Sequence, residues 1–85
     1  MTQTITPRQK CQFQIEHNGI IYTLGEMNSF HAMKQAHQFV RRWVMKEWLR
    51  TRMNNDTTAV LLANGQQFAS VYGCHQNRAI NSITL

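Results

Sequence analysis

Ten side chains in this sequence could do acid–base, nucleophilic or metal chemistry: His17, His31, His37, His75, Cys11, Cys74, Glu16, Glu26, Glu47 and Asp56. Structural zinc sites use tight ligand pairs. No two of these histidines stand three or four apart, so they read as surface or packed residues and no metal or cofactor is expected. Cys74 precedes His75, but neighbours on a strand point to opposite faces, which denies a thiol its base. The four acids form no close pair for general acid–base work. No glycine-rich phosphate loop occurs, and Gly19, Gly25, Gly65 and Gly73 all fall at expected turns or strand ends. The expectation is a binding protein and not an enzyme.

The elements that position these residues follow from apolar spacing. Residues 1–9 hold the only proline, Pro7, and read as a mobile lead-in to a single domain over 10–85. Cys11 to Glu16 alternates apolar with polar, Asn18-Gly19 follows, and Ile20 to Leu24 returns. Asn-Gly between two such runs marks a two-residue hairpin turn. That register sets His17 against Ile20, Ile15 against Tyr22 and Phe13 against Leu24. Gly25 should break the strand, with Asn28 or Ser29 capping the next element. From Phe30 to about Met53 no Gly or Pro occurs. One helical arc collects Ala32, Met33, Ala36, Phe39, Val40, Trp43 and Val44, and the opposite arc His31, Lys34, Gln35, Gln38, Arg41 and Arg42. Asn54-Asn55-Asp56 should end this helix. A second hairpin turns at Asn64-Gly65, joining Thr57–Ala63 to Gln66–Tyr72, with Leu61 facing Phe68 and Ala59 facing Ser70. Both of its faces are apolar, which suits central strands. Ile80, Ile83 and Leu85 are spaced for a short last strand. The expected fold is α+β: one long amphipathic helix on an antiparallel sheet in the order ββαββ, with a fifth C-terminal strand. The sheet's other face would be wet or would meet a partner.

Beyond Val44 the helical pattern fails, because Glu47 falls inside the core arc while Met45, Trp48 and Leu49 fall on the polar side. Two readings stay open. In one, the helix bends or ends near residue 46 and Trp48 and Leu49 pack beneath the next strand. In the other it runs straight to Met53, and Arg41, Met45, Trp48 and Arg52 form an exposed line. An exposed Trp and Met flanked by arginines has the composition of an interface centre. Lys34 shares that side, and Arg42, Lys46 and Arg50 make a second basic edge. Glu47 is the sole acid between Ser29 and Asn55, whereas solubilising helices mix both signs. These eight residues (Lys34, Arg41, Arg42, Met45, Lys46, Trp48, Arg50 and Arg52) are the expected partner-binding set.

Eighty-five residues with nine Lys and Arg against four Asp and Glu give a net charge of +5, which favours an acidic partner. No apolar run reaches the length of a membrane span. With no signal peptide or CxxC, the two cysteines read as free thiols in a reducing cytoplasm. Size, the ββαββ order and the basic aromatic helix make the chain resemble small accessory proteins of phages and plasmids, including anti-CRISPR and other anti-defence proteins. That resemblance implies an inhibitor of a host nucleic-acid-processing or defence complex, and it assigns no residue a role. The expected partner is a protein or nucleoprotein complex with an acidic face. Alternatives are low-specificity DNA or RNA binding through phosphates, and a homodimer through the same patch.

Overall fold

The computed structural model describes residues 10–55, 57–74 and 83–84. The expected lead-in over 1–9 lies outside them, as do Asp56, His75, Ile80 and Leu85. Strands β1 (Cys11–His17) and β2 (Ile20–Met27) precede helix α1 (Ser29–Val40). A single 3₁₀ turn (Lys46–Trp48) leads into β3 (Leu49–Asn55), β4 (Thr58–Ala63) and β5 (Gln66–Gly73), and β6 (Ile83–Thr84) follows. The sheet order is β3-β4-β5-β1-β2-β6, with β1 to β5 antiparallel and the two-residue β6 parallel to β2. The α+β class holds. The long helix and the ββαββ order do not, because a strand stands where the helix was expected to continue.

Both hairpins turn where their sequences predict. Asn18 and Gly19 have φ of 54° and 78°, and Asn64 and Gly65 have 53° and 82°, the left-handed pairs a type I′ turn requires. Ile15 faces Tyr22 and His17 faces Ile20, but Phe13 faces Gly25 and not Leu24. A bulge absorbs the extra residue, and Gly25 supplies a φ of 119° there, so the strand runs through Gly25 to Met27. A similar slip in the second hairpin pairs Leu61 with Ala69 and Ala59 with Val71 in place of Phe68 and Ser70. Val71 thereby joins the buried face. β4 and β5 are interior strands, as their apolar faces predict.

Asn28 caps α1, its Oδ1 accepting the His31 N–H at 2.8 Å. Ala32, Ala36, Phe39 and Val40 face inward and are buried against Phe13, Ile15, Leu61, Ala69 and Val71 of the sheet. The small residues at 32 and 36 let the helix lie close, and burying Phe39 and Val40 stabilises the layer by about 1.5–3 kcal/mol each. After Val40 the chain turns sharply, with the N–H groups of Trp43 and Val44 both reaching the Val40 carbonyl at 2.9 and 3.0 Å. Continuing the helix would have carried Glu47 into the core, where an unpaired carboxylate is costly. Turning instead buries Val44 and lets Leu49 enter the core from β3. The alternation of Leu49, Thr51 and Met53 with Arg50 and Arg52 then fits a strand.

Away from α1 the centre of the sheet mixes polar with aliphatic residues and is not wet, with Gln14, Thr58, Val60 and Ser70 buried there. Tyr72 donates its hydroxyl to Glu16 at 3.3 Å and Gln67 donates to Ser70 at 3.0 Å on this face. The cysteines are not free: Cys11 at the start of β1 is bonded to Cys74 just past β5, with Cα atoms 5.2 Å apart. Two free thiols were expected because nothing in the spacing of the cysteines requires their strands to be neighbours; the pairing of β1 with β5 makes them so. Among the described residues no helix is long and apolar enough to cross a membrane.

Candidate interaction surface

The eight residues singled out from sequence do not share one helix face. Lys34 lies on α1, Arg41 and Arg42 in the turn after it, Met45 in the following loop, Lys46 and Trp48 in the 3₁₀ turn, and Arg50 and Arg52 on β3. The straight line through Arg41, Met45, Trp48 and Arg52 therefore does not exist. The fold regroups seven of the eight into three places.

The first is an open groove of about 630 Å³ between the flank of α1 and β3. Phe30, Lys34 and Gln38 line it from the helix at the spacing of a single flank, with Arg41 at the helix C-cap and Met33 and His37 beside them. Lys46 and Met53 line it from the 3₁₀ turn and from β3. Its three cations meet no carboxylate in the lining. The Lys34 ammonium sits 5.5 Å from the Phe30 ring centre, and Phe30 itself is mostly exposed. His37 spans the groove's inner edge, its Nε2 hydrogen-bonded to the Thr51 hydroxyl. Burial of that imidazole lowers its pKa below the ordinary 6.5.

The second is a shallow cleft at the end of the sheet that carries both hairpin turns. Trp43, Val44, Met45, Trp48, Ala63 and Asn64 line it. Trp43, Met45 and Trp48 keep 54%, 64% and 55% of their surface exposed, too much for core residues. Trp43 was expected in the core. Instead it stands over the layer's rim, its ring 4.9 Å from His17 and 5.4 Å from Phe39. The reading that buried Trp48 fails as well, although Leu49 beside it is buried as that reading required. Asn64 N–H donates to the Trp48 carbonyl at 2.9 Å and fixes the 3₁₀ turn against the hairpin. The loop at Met45-Lys46 divides cleft from groove, with Met45 lining one and Lys46 the other.

The third is the outer face of β3, away from the helix. Arg50 and Arg52 stand there, paired in register with Leu62 and Val60. Arg50 donates through Nη1 to the carbonyls of Glu47 and Leu49 at 3.0 and 2.9 Å. Arg42 belongs to none of the three, since its guanidinium lies 5.1 Å from the Phe39 ring.

Sequence reasoning missed Phe30, His37 and Met53 in the groove and Trp43 in the cleft. One signal was present for β3, the strict alternation over Leu49-Arg50-Thr51-Arg52-Met53. Cys74 is bonded through sulfur, and the His17 Nδ1 lies 3.2 Å from the Phe68 carbonyl oxygen while its ring stacks on Phe68 at 4.4 Å. No group of three His, Cys, Asp or Glu able to hold a metal occurs among the described residues. No protein-family model, curated protein or solved structure matches this chain.

Proposed function

We propose that this chain is a non-catalytic binding protein that engages an acidic face of a partner protein or nucleoprotein through the joined groove and cleft. The observation that carries the reading is the exposure of Trp43, Met45 and Trp48 in the cleft, which adjoins at Met45-Lys46 a groove lined by Lys34, Arg41 and Lys46. Large apolar side chains exposed together suit an interface centre, and a monomer seldom exposes them without use. Inhibition of the partner, including a nucleic-acid-processing or defence complex, is the activity such a surface serves by covering an acidic or phosphate-bearing path. The Cys11–Cys74 bond weighs toward an oxidising compartment, because a reducing cytoplasm opens most disulfides. It thereby favours an acidic protein over a cytoplasmic nucleoprotein as the partner.

Direct phosphate binding is the second reading, favoured by the three groove cations with no carboxylate among them. One experiment separates the two: partner recovery from lysate of the encoding organism, with and without nuclease, beside mobility shifts of duplex and single-stranded DNA at low salt. A Lys34→Glu, Arg41→Glu, Lys46→Glu variant should lose the partner in nuclease-treated lysate. Recovery that vanishes with nuclease, together with a mobility shift by the protein alone, would replace the protein reading with the phosphate one.

A further inference from the structure

Among the described residues β3 ends the sheet on one side, and residues 50–55 are all exposed, whereas β2 at the other side is covered by β6. An edge strand directs alternate backbone N–H and C=O groups outward, where they can pair with another strand. Proteins commonly blunt such edges with proline or a bulge. β3 has no proline and pairs regularly with β4 from Leu49 to Met53, with a bulge between Met53 and Asn55 at its far end. It does carry Arg50 and Arg52, which repel cationic strands and invite anionic ones.

We infer that the free edge of β3 is a strand-addition site for an extended, acidic segment of a partner protein, one that alternates acidic with aliphatic residues. The inference deepens the binding reading above and rests on it. Alternation follows from the two sides of β3. On one side, a strand laid along the edge turns every second residue into the groove, against Phe30, Met33 and Met53, beneath the flank of α1. Those positions take aliphatic side chains. On the other side, the intervening residues lie beside Arg50 and Arg52 on the outer face, where Asp or Glu makes a favourable cross-strand pair. Lys34, Arg41 and Lys46 hold the groove rim positive and meet acids that flank the aliphatic positions. A second copy of this chain is a poor occupant, since it brings its own +5 charge and the same cations to the same edge. The apolar floor at Phe30, Met33 and Met53 likewise offers a phosphate backbone nothing to bond.

The probe is a fluorescent, end-capped octapeptide alternating glutamate with valine, titrated with the intact disulfide-bonded protein and read by anisotropy. The peptide should bind saturably, and its lysine–valine counterpart should not. Two derivatives decide the mode, one N-methylated at every valine and one at every glutamate. In an added strand the amides of one class point at β3 and those of the other point away, so one derivative should lose about tenfold or more while the other binds like the parent. An Arg50→Glu, Arg52→Glu variant of unchanged circular dichroism should bind about tenfold more weakly, the sum of two reversed cross-strand pairs. Equal binding by both methylated peptides, or no saturable binding by the parent, overturns the inference. So does displacement of the peptide by single-stranded DNA, which assigns the groove to phosphates, or by self-association on concentrating the protein, which assigns the edge to a second copy. Should the octapeptide fail while the Lys34, Arg41, Lys46 variant still loses the lysate partner, strand addition falls alone and the binding surface stands.

Discussion

The imidazole of His37 on α1 is hydrogen-bonded to the hydroxyl of Thr51 on β3, tying the helix to the edge strand across the groove. The two residues stand 14 apart in sequence, and the bond forms because the chain reverses between Val40 and Leu49 instead of extending the helix. It sets the distance between the two walls of the proposed binding surface.

Burial of the same imidazole gives stability a pH dependence. Burial holds the folded pKa of His37 below 6.5, so the unfolded chain takes up a proton first as pH falls. The contribution is fully present above pH 6.5 and is lost as pH falls from there through the folded value. Urea midpoints should therefore drop between about pH 7.5 and 5, and His37→Gln should show a smaller drop than the parent. An identical drop in both proteins would remove His37 as a source.

Gly73 is held by packing. A Cβ there would meet Phe13 Cζ at 2.7 Å, with other ring atoms closer still, and Phe13 is fully buried. Gly73→Ala should cost about 1–3 kcal/mol by chemical denaturation, the range for overpacking a filled core. A cost under 0.5 kcal/mol would mean that the ring can move aside.

The disulfide should matter more than any single packing contact. Cys11 and Cys74 are 63 residues apart, and closing a loop of that length stabilises a fold by about 4 kcal/mol in the chain-entropy treatment. Reduction, or Cys11→Ser with Cys74→Ser, should lower the denaturant midpoint sharply in a domain whose net stability is small. Thiol titration of the native protein before reduction should find none free; two reactive thiols would contradict the pairing.

What could be read in the sequence were features that one stretch settles by itself. Both Asn-Gly turns, the Asn28 cap and the inward face of Ala32, Ala36, Phe39 and Val40 are of that kind. The reversal after Val40 was not, because Arg41 to Leu49 contains neither glycine nor proline and is a competent helix former. Tertiary burial of Val44 and Leu49, and exclusion of Glu47, decided it. The two one-residue register slips were hidden for a related reason: a bulge exists only with respect to its partner strand. Of the expected binding residues, Lys34, Arg41 and Lys46 came together in the groove and Met45 and Trp48 in the cleft. Arg50 and Arg52 moved to the outer face of β3, and no helical periodicity could have placed them there.

The central claim is that the aromatic cleft is kept for a partner and not for folding, and Trp48→Ala tests it most directly. The measurement is capture of the partner from nuclease-treated lysate by wild type and variant at matched concentration, with each protein's melting temperature recorded. With 55% of Trp48 exposed, its truncation should leave melting nearly unchanged while partner affinity falls by about 2 kcal/mol or more, roughly thirtyfold. Undiminished capture by a folded variant, or a stability loss of about 3–5 kcal/mol as for a core tryptophan, would contradict the account.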